Sequence, residues 1–359
     1  MTFLIAAAGT GGHVYPGLAV GEALVELGVS RDEVLYVGGG RLEAEVFPGA
    51  GFPFLQLDLR GLRRSLTPAN LSLPAVVWRA RAKIVEVMKS RKVRSALGLG
   101  GYVTVPTAMA AHRSRVPIMI AEQNAEAGLA NRITSRWAVR TFGSFPETEG
   151  LPKAEWTGNP VRRPFWEFRR EDLRPKALRH YELNPDLPVL GVFGGSLGAG
   201  AVNEAVTGML TRWDGPPFQV VHLTGKRNLA TLLAYPEPRG VRWVRRGFED
   251  QMEMFYAASD LVVARAGGAV AELTATATPA ILVPGSFGSA GHQNRNAQEL
   301  ARRGAVVVLE EREIDGLSRL VGETLFDRRA LAGMGEASRV LARPRAAFEI
   351  AEAMRKAAL

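Results

Sequence analysis

Four stretches of this 359-residue chain set glycines beside side chains able to do chemistry. The fullest is Arg265-Ala266-Gly267-Gly268-Ala269-Val270-Ala271-Glu272, which follows the apolar run 260–263 and precedes Gly291-His292-Gln293-Asn294-Arg295-Asn296. A strand that ends in a glycine pair and turns into a helix offers backbone N–H groups and a positive helix end to an anion such as a diphosphate. Glu272, about one turn in, is placed to bind ribose hydroxyls; the plainer reading is a helix start whose glycines only allow tight packing. The stretch Gly9-Thr10-Gly11-Gly12-His13 carries Val14 where the dinucleotide fingerprint needs its third glycine, which disfavours a nicotinamide or flavin site. It reads as an anion or sugar cradle, with His13 either a base or ligand at its mouth or a structural part of the turn. Gly98-Leu99-Gly100-Gly101-Tyr102 is followed by Glu122-Gln123-Asn124 at the end of another apolar run, a poor composition for a core and a good one for sugar hydroxyls. In Gly194-Gly195-Ser196-Leu197-Gly198-Ala199, Ser196 suits a phosphate or a helix cap. The same run fits the Gly-x-Ser-x-Gly nucleophile elbow of a hydrolase, a reading that leaves the other glycine turns without a task. Gly225-Lys226 is followed by Arg227, so there is no P-loop. No Asp-x-Asp pair is present to bridge a metal to a diphosphate, and the five histidines have no zinc spacing. Neither a metal nor a cofactor is expected.

These residues need strands and helices to hold them. Apolar runs at residues 3–8, 34–37, 54–57, 96–99 and 118–120 alternate with helical patterns at 16–27, 73–91 and 106–112. The second half repeats the architecture, with strands expected at 189–193, 218–223, 241–244, 261–263, 280–283 and 305–309. Near-continuous apolar strands separated by helices indicate parallel sheets covered on both faces. Ligands then bind beyond the carboxyl ends of the strands, where all four glycine turns fall. The stretch 156–164, stiffened by Pro160 and Pro164, reads as a linker or hinge. The last 32 residues or so read as Ala-rich helix broken at Gly333, Gly335 and Pro344, with a final helix packing back on the fold. The expected architecture is α/β, two doubly wound domains facing each other across a cleft.

Composition limits the function classes. The chain is 47% hydrophobic and 23% charged, so it can bury a sizeable core. It has no cysteine, which excludes disulfides and thiolate chemistry. No apolar run approaches the roughly 20 residues that span a bilayer, and the N-terminus reads as a buried strand rather than a signal peptide, so a cytoplasmic protein is expected. The net charge of +9 suits an anionic substrate or an anionic membrane surface. Nucleic acid is not expected, because no basic motif interleaved with aromatics is present. Residues 66–83 mix Leu, Val and Trp78 with Arg79, Arg81 and Lys83, the composition of an interfacial docking segment or of a surface helix with snorkelling arginines.

Together the motifs closely resemble the MurG family, the peptidoglycan N-acetylglucosaminyltransferases of glycosyltransferase family 28. The residues that carry the resemblance are Gly9 to Ala19, Gly100-Gly101-Tyr102-Val103, Glu122-Gln123-Asn124, Gly158-Asn159-Pro160-Val161-Arg162, Gly194 to Ala199, Arg265-Ala266-Gly267 and His292-Gln293 with Asn296-Ala297. They run in order over nearly the whole chain. The resemblance implies the GT-B fold: residues 1–160 as an acceptor and membrane-side domain, joined by a returning helix 343–359, and 161–342 as a UDP-GlcNAc-binding domain. It implies inverting transfer of GlcNAc from UDP-GlcNAc to the muramyl C4 hydroxyl of lipid I, giving lipid II, by a peripheral protein at the cytoplasmic face of the cell membrane. By the same resemblance Thr10, Gly11 and Gly12 approach the donor sugar or reacting centre, and Asn124 binds GlcNAc hydroxyls. Arg162 contacts the donor and Ser196 the diphosphate, while the backbone around Glu249 reads uracil. Gly267, Gly268, Ala269 and Val270 approach the diphosphate, Glu272 holds the ribose, and Gln293 with His292 meets the sugar. His13 is the candidate base and Glu122 its rival. Two departures stand out. The family usually has His where this chain has Ala121, so that position supplies no base here. The loop from Arg265 to Glu272 is one residue shorter than usual and carries no hydroxyl, which leaves phosphate contacts there to backbone N–H groups. Two other readings remain: another UDP-sugar enzyme of this fold, such as a lipid glycosyltransferase or a UDP-GlcNAc 2-epimerase, and a non-catalytic UDP-sugar binder on membrane.

Overall fold

The structure is a computed structural model, and it describes residues 1–59, 73–194, 199–285 and 290–359. Ser196 and residues 66–72 of the expected docking segment lie outside the described residues. The chain divides into two compact units, Met1–Arg163 with Arg343–Leu359, and Pro164–Ala342.

In the first unit seven strands form one parallel sheet: β1 (Thr2–Ala6), β2 (Val34–Gly38), β3 (Phe54–Gln56), β4 (Val93–Gly98), β5 (Ile118–Glu122), β6 (Ala138–Gly143) and β7 (Glu155–Trp156), in the order β3-β2-β1-β4-β5-β6-β7. The order reverses between β1 and β4, where Ala6 pairs with both Val37 and Gly98. That reversal places the turns after β1 and β4 side by side at the carboxyl edge, the position where doubly wound sheets bind ligands. Leu4, Ala6, Leu35, Val37, Ala96 and Ile120 turn into a core that the helix Leu73–Ser90 completes with Ala80, Ile84 and Met88. The C-terminal helix Ala346–Ala358 packs on the helix Gly11–Glu26 and on β4, where Arg94 Nε donates to the Ala358 carbonyl at 3.1 Å.

The second unit has six parallel strands: β8 (Val189–Phe193), β9 (Phe218–Leu223), β10 (Val241–Arg246), β11 (Leu261–Ala264), β12 (Ala280–Leu282) and β13 (Val306–Val308), in the order β10-β9-β8-β11-β12-β13. Its reversal lies between β8 and β11, beside the glycine turn that follows β11. Leu190, Val192, Val206, Leu210, Phe218, Trp243, Val263 and Ile281 make its core.

Several sequence expectations are corrected. The first helix begins at Gly11, not at Pro16, so Gly11, Gly12 and His13 form its first turn and Pro16 lies inside it. Gly333 and Gly335 do not break the helix Arg328–Leu341. Asp327 caps its start by accepting from Arg329 and Ala330 N–H, and Gly335 lets the helix close on the Ala277 carbonyl, 3.2 Å from where a Cβ would stand. Residues 157–161, within the stretch expected as a linker or hinge, are buried. Gly158, at φ +85°, lies against Arg343, whose guanidinium covers the Trp156 ring at 3.6 Å. The stretch is thus part of the first unit, and the chain passes between units at 163/164 and 342/343. β6 and β7 are strands the sequence pattern did not reveal. Val139 and Arg140 of β6 are exposed, so it lacks the continuous apolar run of the central strands.

Candidate active site

At the carboxyl edge of the first unit, β1 runs into Gly9 at φ +106° and the extended N-cap Thr10. The Gly11 and Gly12 N–H groups lie ahead of the helical ladder, where first-turn donors have no intrahelical partner. His13 N–H donates to the Thr10 carbonyl at 3.0 Å. The turn after β4 presses against this one. Gly100 and Gly101 both hold positive φ, at +90° and +74°. A Cβ on Gly101 would stand 2.8 Å from the Ala8 carbonyl oxygen, and one on Gly100 would stand 3.0 Å from His13 Nε2 and 3.3 Å from Asn131 Nδ2. Only glycine meets both demands, and the imidazole edge of His13 therefore lies across the bare backbone of Gly100, next to Asn131.

Asn131 leads to Glu122 at the end of β5. Glu122 is buried and accepts five donors. Gln123 N, Asn124 N and Asn124 Nδ2 reach Oε1 at 3.0, 3.0 and 2.9 Å. Gly128 N and Asn131 Nδ2 reach Oε2 at 3.0 and 2.8 Å. A carboxylate has about four lone-pair sites, so Glu122 is occupied in shaping the loop that carries Asn124. Ala121, which departs from the family pattern, supplies only its carbonyl, to Gln123 Nε2 and Asn131 Nδ2. Arg162 lies over the ring of Tyr15, 5.4 Å from its centroid.

A further carboxylate at this edge went unread in the sequence. Glu43 is fully buried; it accepts Gly9 N at 3.2 Å, Gly39 N at 3.0 Å and the Tyr102 hydroxyl at 3.0 Å. Burial and then the neighbouring Glu43 charge push the Tyr102 phenol up to about 12. A single Glu between Leu42 and Ala44 has the look of a surface residue, and its three donors are scattered through the sequence.

At the carboxyl edge of the second unit, β11 runs into Arg265. Its guanidinium donates to the Val283 carbonyl and pairs with Glu311, each at 3.0 Å. Arg265 thus joins the ends of β11 and β12 to the segment after β13. Ala266 is buried and its carbonyl accepts Asn296 Nδ2 at 3.2 Å, while Gln293 Oε1 accepts Gly285 N at 2.9 Å. His292, Gln293 and Asn296 share the helix Ala290–Ala301, so one helix fastens both turns. Gly267, Gly268 and Ala269 lead into the helix Ala269–Ala275. Val270 turns its side chain into the core and donates its N–H to the Gly267 carbonyl at 3.2 Å. Glu272 Oε2 accepts the hydroxyl of buried Tyr256 at 3.0 Å, which fixes the carboxylate's direction.

Glu249 follows β10 and is also buried. Its Oε2 accepts the Tyr181 hydroxyl and Arg246 Nη1, both at 2.8 Å, and lies 3.2 Å from His180 Nε2; its Oε1 accepts Gln251 N at 3.0 Å. Burial raises its carboxyl, yet the Tyr181, Gln251 and His180 hydrogen bonds and the Arg246 charge outweigh it and hold Glu249 below its ordinary value. Its side chain therefore braces the turn. Among the described residues no group of three His, Asp or Glu side chains is placed to hold a metal ion.

Comparison with known proteins bears on the family and the fold. Residues 3–142 match the glycosyltransferase family 28 N-terminal domain and residues 189–351 the glycosyltransferase family 28 C-terminal domain. A Desulforudis audaxviator protein named UDP-N-acetylglucosamine--N-acetylmuramyl-(pentapeptide) pyrophosphoryl-undecaprenol N-acetylglucosamine transferase is 36% identical, covering 100% of this chain and 99% of that protein. A Cutibacterium acnes protein of the same name is 38% identical over 97% of this chain and 95% of its own length. The crystal structure of MurG from Acinetobacter baumannii matches with a TM-score of 0.79 and 28% identity, over 99% of this chain and 100% of that one. With both domains matched in order and two parallel Rossmann-like units of the GT-B kind, this chain belongs to glycosyltransferase family 28 and is a glycosyltransferase.

Proposed function

We propose that this glycosyltransferase moves GlcNAc from UDP-GlcNAc to the C4 hydroxyl of the N-acetylmuramyl sugar of lipid I, with inversion, to give lipid II. The observation that carries the proposal is full-length identity above 35% to relatives bearing that name. In the reaction the acceptor oxygen attacks C1 of GlcNAc as its proton passes to a base. The bond from C1 to the diphosphate oxygen breaks, and UDP leaves with the electron pair. His13 is the base in this proposal, because Glu122 is already filled by five donors. Thr10, Gly11 and Gly12 face the reacting centre, Asn124 the sugar hydroxyls and Arg162 the donor. The N–H groups of Gly267, Gly268 and Ala269 meet the growing charge on the diphosphate, with Ser196 as a further donor. Glu272, aimed by Tyr256, accepts from the ribose; His292 and Gln293 attend the sugar, and the backbone at Glu249 attends the base. These parts call for no cofactor.

The acceptor is a lipid, and among the described residues no helix is long and apolar enough to cross a membrane. We infer peripheral docking to an anionic surface at the cytoplasmic face. The helix Leu73–Ser90 supports it: Trp78 is 59% exposed, with the Arg81 guanidinium 4.4 Å from its ring centroid and exposed Arg79 beside it.

The test is incubation with labelled UDP-GlcNAc, with and without lipid I. Label in the lipid and matched UDP release, both only with acceptor present, are expected. Conversion to UDP-ManNAc without acceptor would make the chain an epimerase. Donor binding with neither outcome would make it a sensor.

A further inference from the structure

The proposed reaction gives Glu43 no contact with substrate, yet its bonds run to the turn that carries the proposed base. Three separate segments of the carboxyl edge converge on this one side chain. Gly9 N–H, from the turn after β1, reaches Oε2 at 3.2 Å. Gly39 N–H, from the turn after β2, reaches Oε1 at 3.0 Å, and the Tyr102 hydroxyl, from the turn after β4, reaches the same oxygen at 3.0 Å. The packing leaves no slack. A Cβ on Gly38 would stand 2.7 Å from Glu43 Cγ, and a Cβ on Gly39 would stand 2.1 Å from the Tyr102 oxygen. A buried carboxylate is tolerated where charge-assisted hydrogen bonds replace water, and here all three donors belong to turns that border the site.

We propose that Glu43 is a positioning residue for sugar transfer: with Tyr102 it locks the turn after β1, and thereby His13 and Thr10, onto the turns after β2 and β4. The inference rests on the reading of His13 as base. Glu43 acts through the backbone at Gly9, four residues before His13, and touches no substrate. A loosened turn misplaces the imidazole without disturbing the nucleotide contacts, which are made by the second unit. Misplacement of a reacting group by about 1 Å costs on the order of 100-fold in rate.

Glu43→Gln tests this with almost unchanged shape. With the amide oxygen kept on Gly39 and Tyr102, the amide NH2 faces the Gly9 N–H, donor against donor. The expected result is a fall in kcat of about 10–100-fold, KM for UDP-GlcNAc within about two-fold of the parent, and faster amide hydrogen exchange at Gly9. Tyr102→Phe, which keeps the carboxylate and its bond to Gly9, is expected to lose less kcat and to leave Gly9 exchange near the parent rate. Parental kcat and parental exchange in Glu43→Gln would overturn the proposal. So would a kcat loss no larger than the folded fraction lost in thermal melts. If Glu43→Gln fails to fold, Tyr102→Phe carries the test against Leu42→Ala, which trims a neighbour without removing a hydrogen bond. A Tyr102→Phe effect no larger than that of Leu42→Ala would then overturn it. Amide exchange is read without turnover. A chain inactive on lipid I whose Gly9 exchange still depends on Glu43 would therefore sink the transferase reading while the Glu43 lock on the turn after β1 stands.

Discussion

His13 is held between its own helix start and the turn after β4. Its backbone is fixed in the first helical turn, and its ring lies across Gly100, where any Cβ would crowd it. The proposal gives it the acceptor proton, so His13→Ala is expected to slow the chemical step by about 10²–10⁴-fold. UDP-GlcNAc affinity should stay close to the parent value, and the acidic limb of the rate profile should disappear from the residual activity. A stable alanine variant that binds donor and turns over at the parent rate would end the assignment. Glu272 makes the complementary case on the other unit. Its carboxylate is aimed by the Tyr256 hydroxyl, and its loss should cost on the order of 1.5–3 kcal/mol of donor binding, because charge-assisted bonds to ribose go with it. Titration calorimetry with UDP reads this directly, and unchanged affinity would remove Glu272 from the site. At this scale the sequence singles out residues that sit next to their own motif: His13 and Glu272 by glycine spacing, Asn124 by its place at a strand end. It does not single out Glu43, since its three donors lie 34, 4 and 59 residues away. Glu122 was legible as a carboxylate at a strand end, but its five donors become visible only when the following loop folds back on it.

The elements divide along the same line. β1, β2 and β5 are buried on both faces, as is β4 apart from Arg94, and a continuous apolar run is enough to announce such a strand. β6 and β7 carry exposed Val139, Arg140 and Glu155, with Arg140 donating to Glu155 across the pair, so their pattern reads as loop. Proline favours the first position of a helix, which points to a start at Pro16; in the fold Pro16 lies inside a helix that starts at Gly11. The helix Leu73–Ser90 has two faces with different tasks. Ala80, Ile84 and Met88 enter the core, while Trp78 and Arg79 face outward. Lys83 is held by the Gln56 carbonyl at 3.2 Å, which leaves Arg79 and Arg81 as the basic partners of Trp78. Docking to anionic vesicles through this face predicts weaker pelleting for Trp78→Ser and for Arg79→Glu with Arg81→Glu. Each basic residue at such a surface contributes about 1 kcal/mol, so raised salt should release the protein as well. Pelleting insensitive to both salt and these substitutions would assign any membrane contact to another part of the chain.

At the scale of the whole molecule, one buried histidine in the second unit contributes to the response to acid. His222 lies on β9 with no exposure, its Nε2 3.0 Å from Asn203 Oδ1 and its ring stacked 6.1 Å from that of Trp243. Burial, aided by the nearby Arg245 charge, pushes its pKa down to about 3 from the ordinary 6.5. The folded protein therefore keeps this imidazole neutral in a range where the unfolded chain protonates it. The sign follows. The contribution is fully present above pH 6.5 and is lost progressively as pH falls from there towards about 3, with a limiting slope of about 1.4 kcal/mol per pH unit for one proton. Glu249, held below its ordinary value of 4.5, adds acid sensitivity of the same sign, present above that value and lost as pH falls below it. Between about pH 4.5 and 6.5 His222 is thus the group to vary. His222→Gln keeps an amide able to donate to Asn203 and removes the titration. It should lower stability at pH 7.5 by about 1–3 kcal/mol, since a packed ring is lost, yet flatten the fall in urea-unfolding free energy across that window in the intact chain. A variant as acid-sensitive as the parent over those two pH units would mean that the imidazole is solvated or protonated in the folded state, and that the burial beneath Trp243 does not govern the second unit's response to pH.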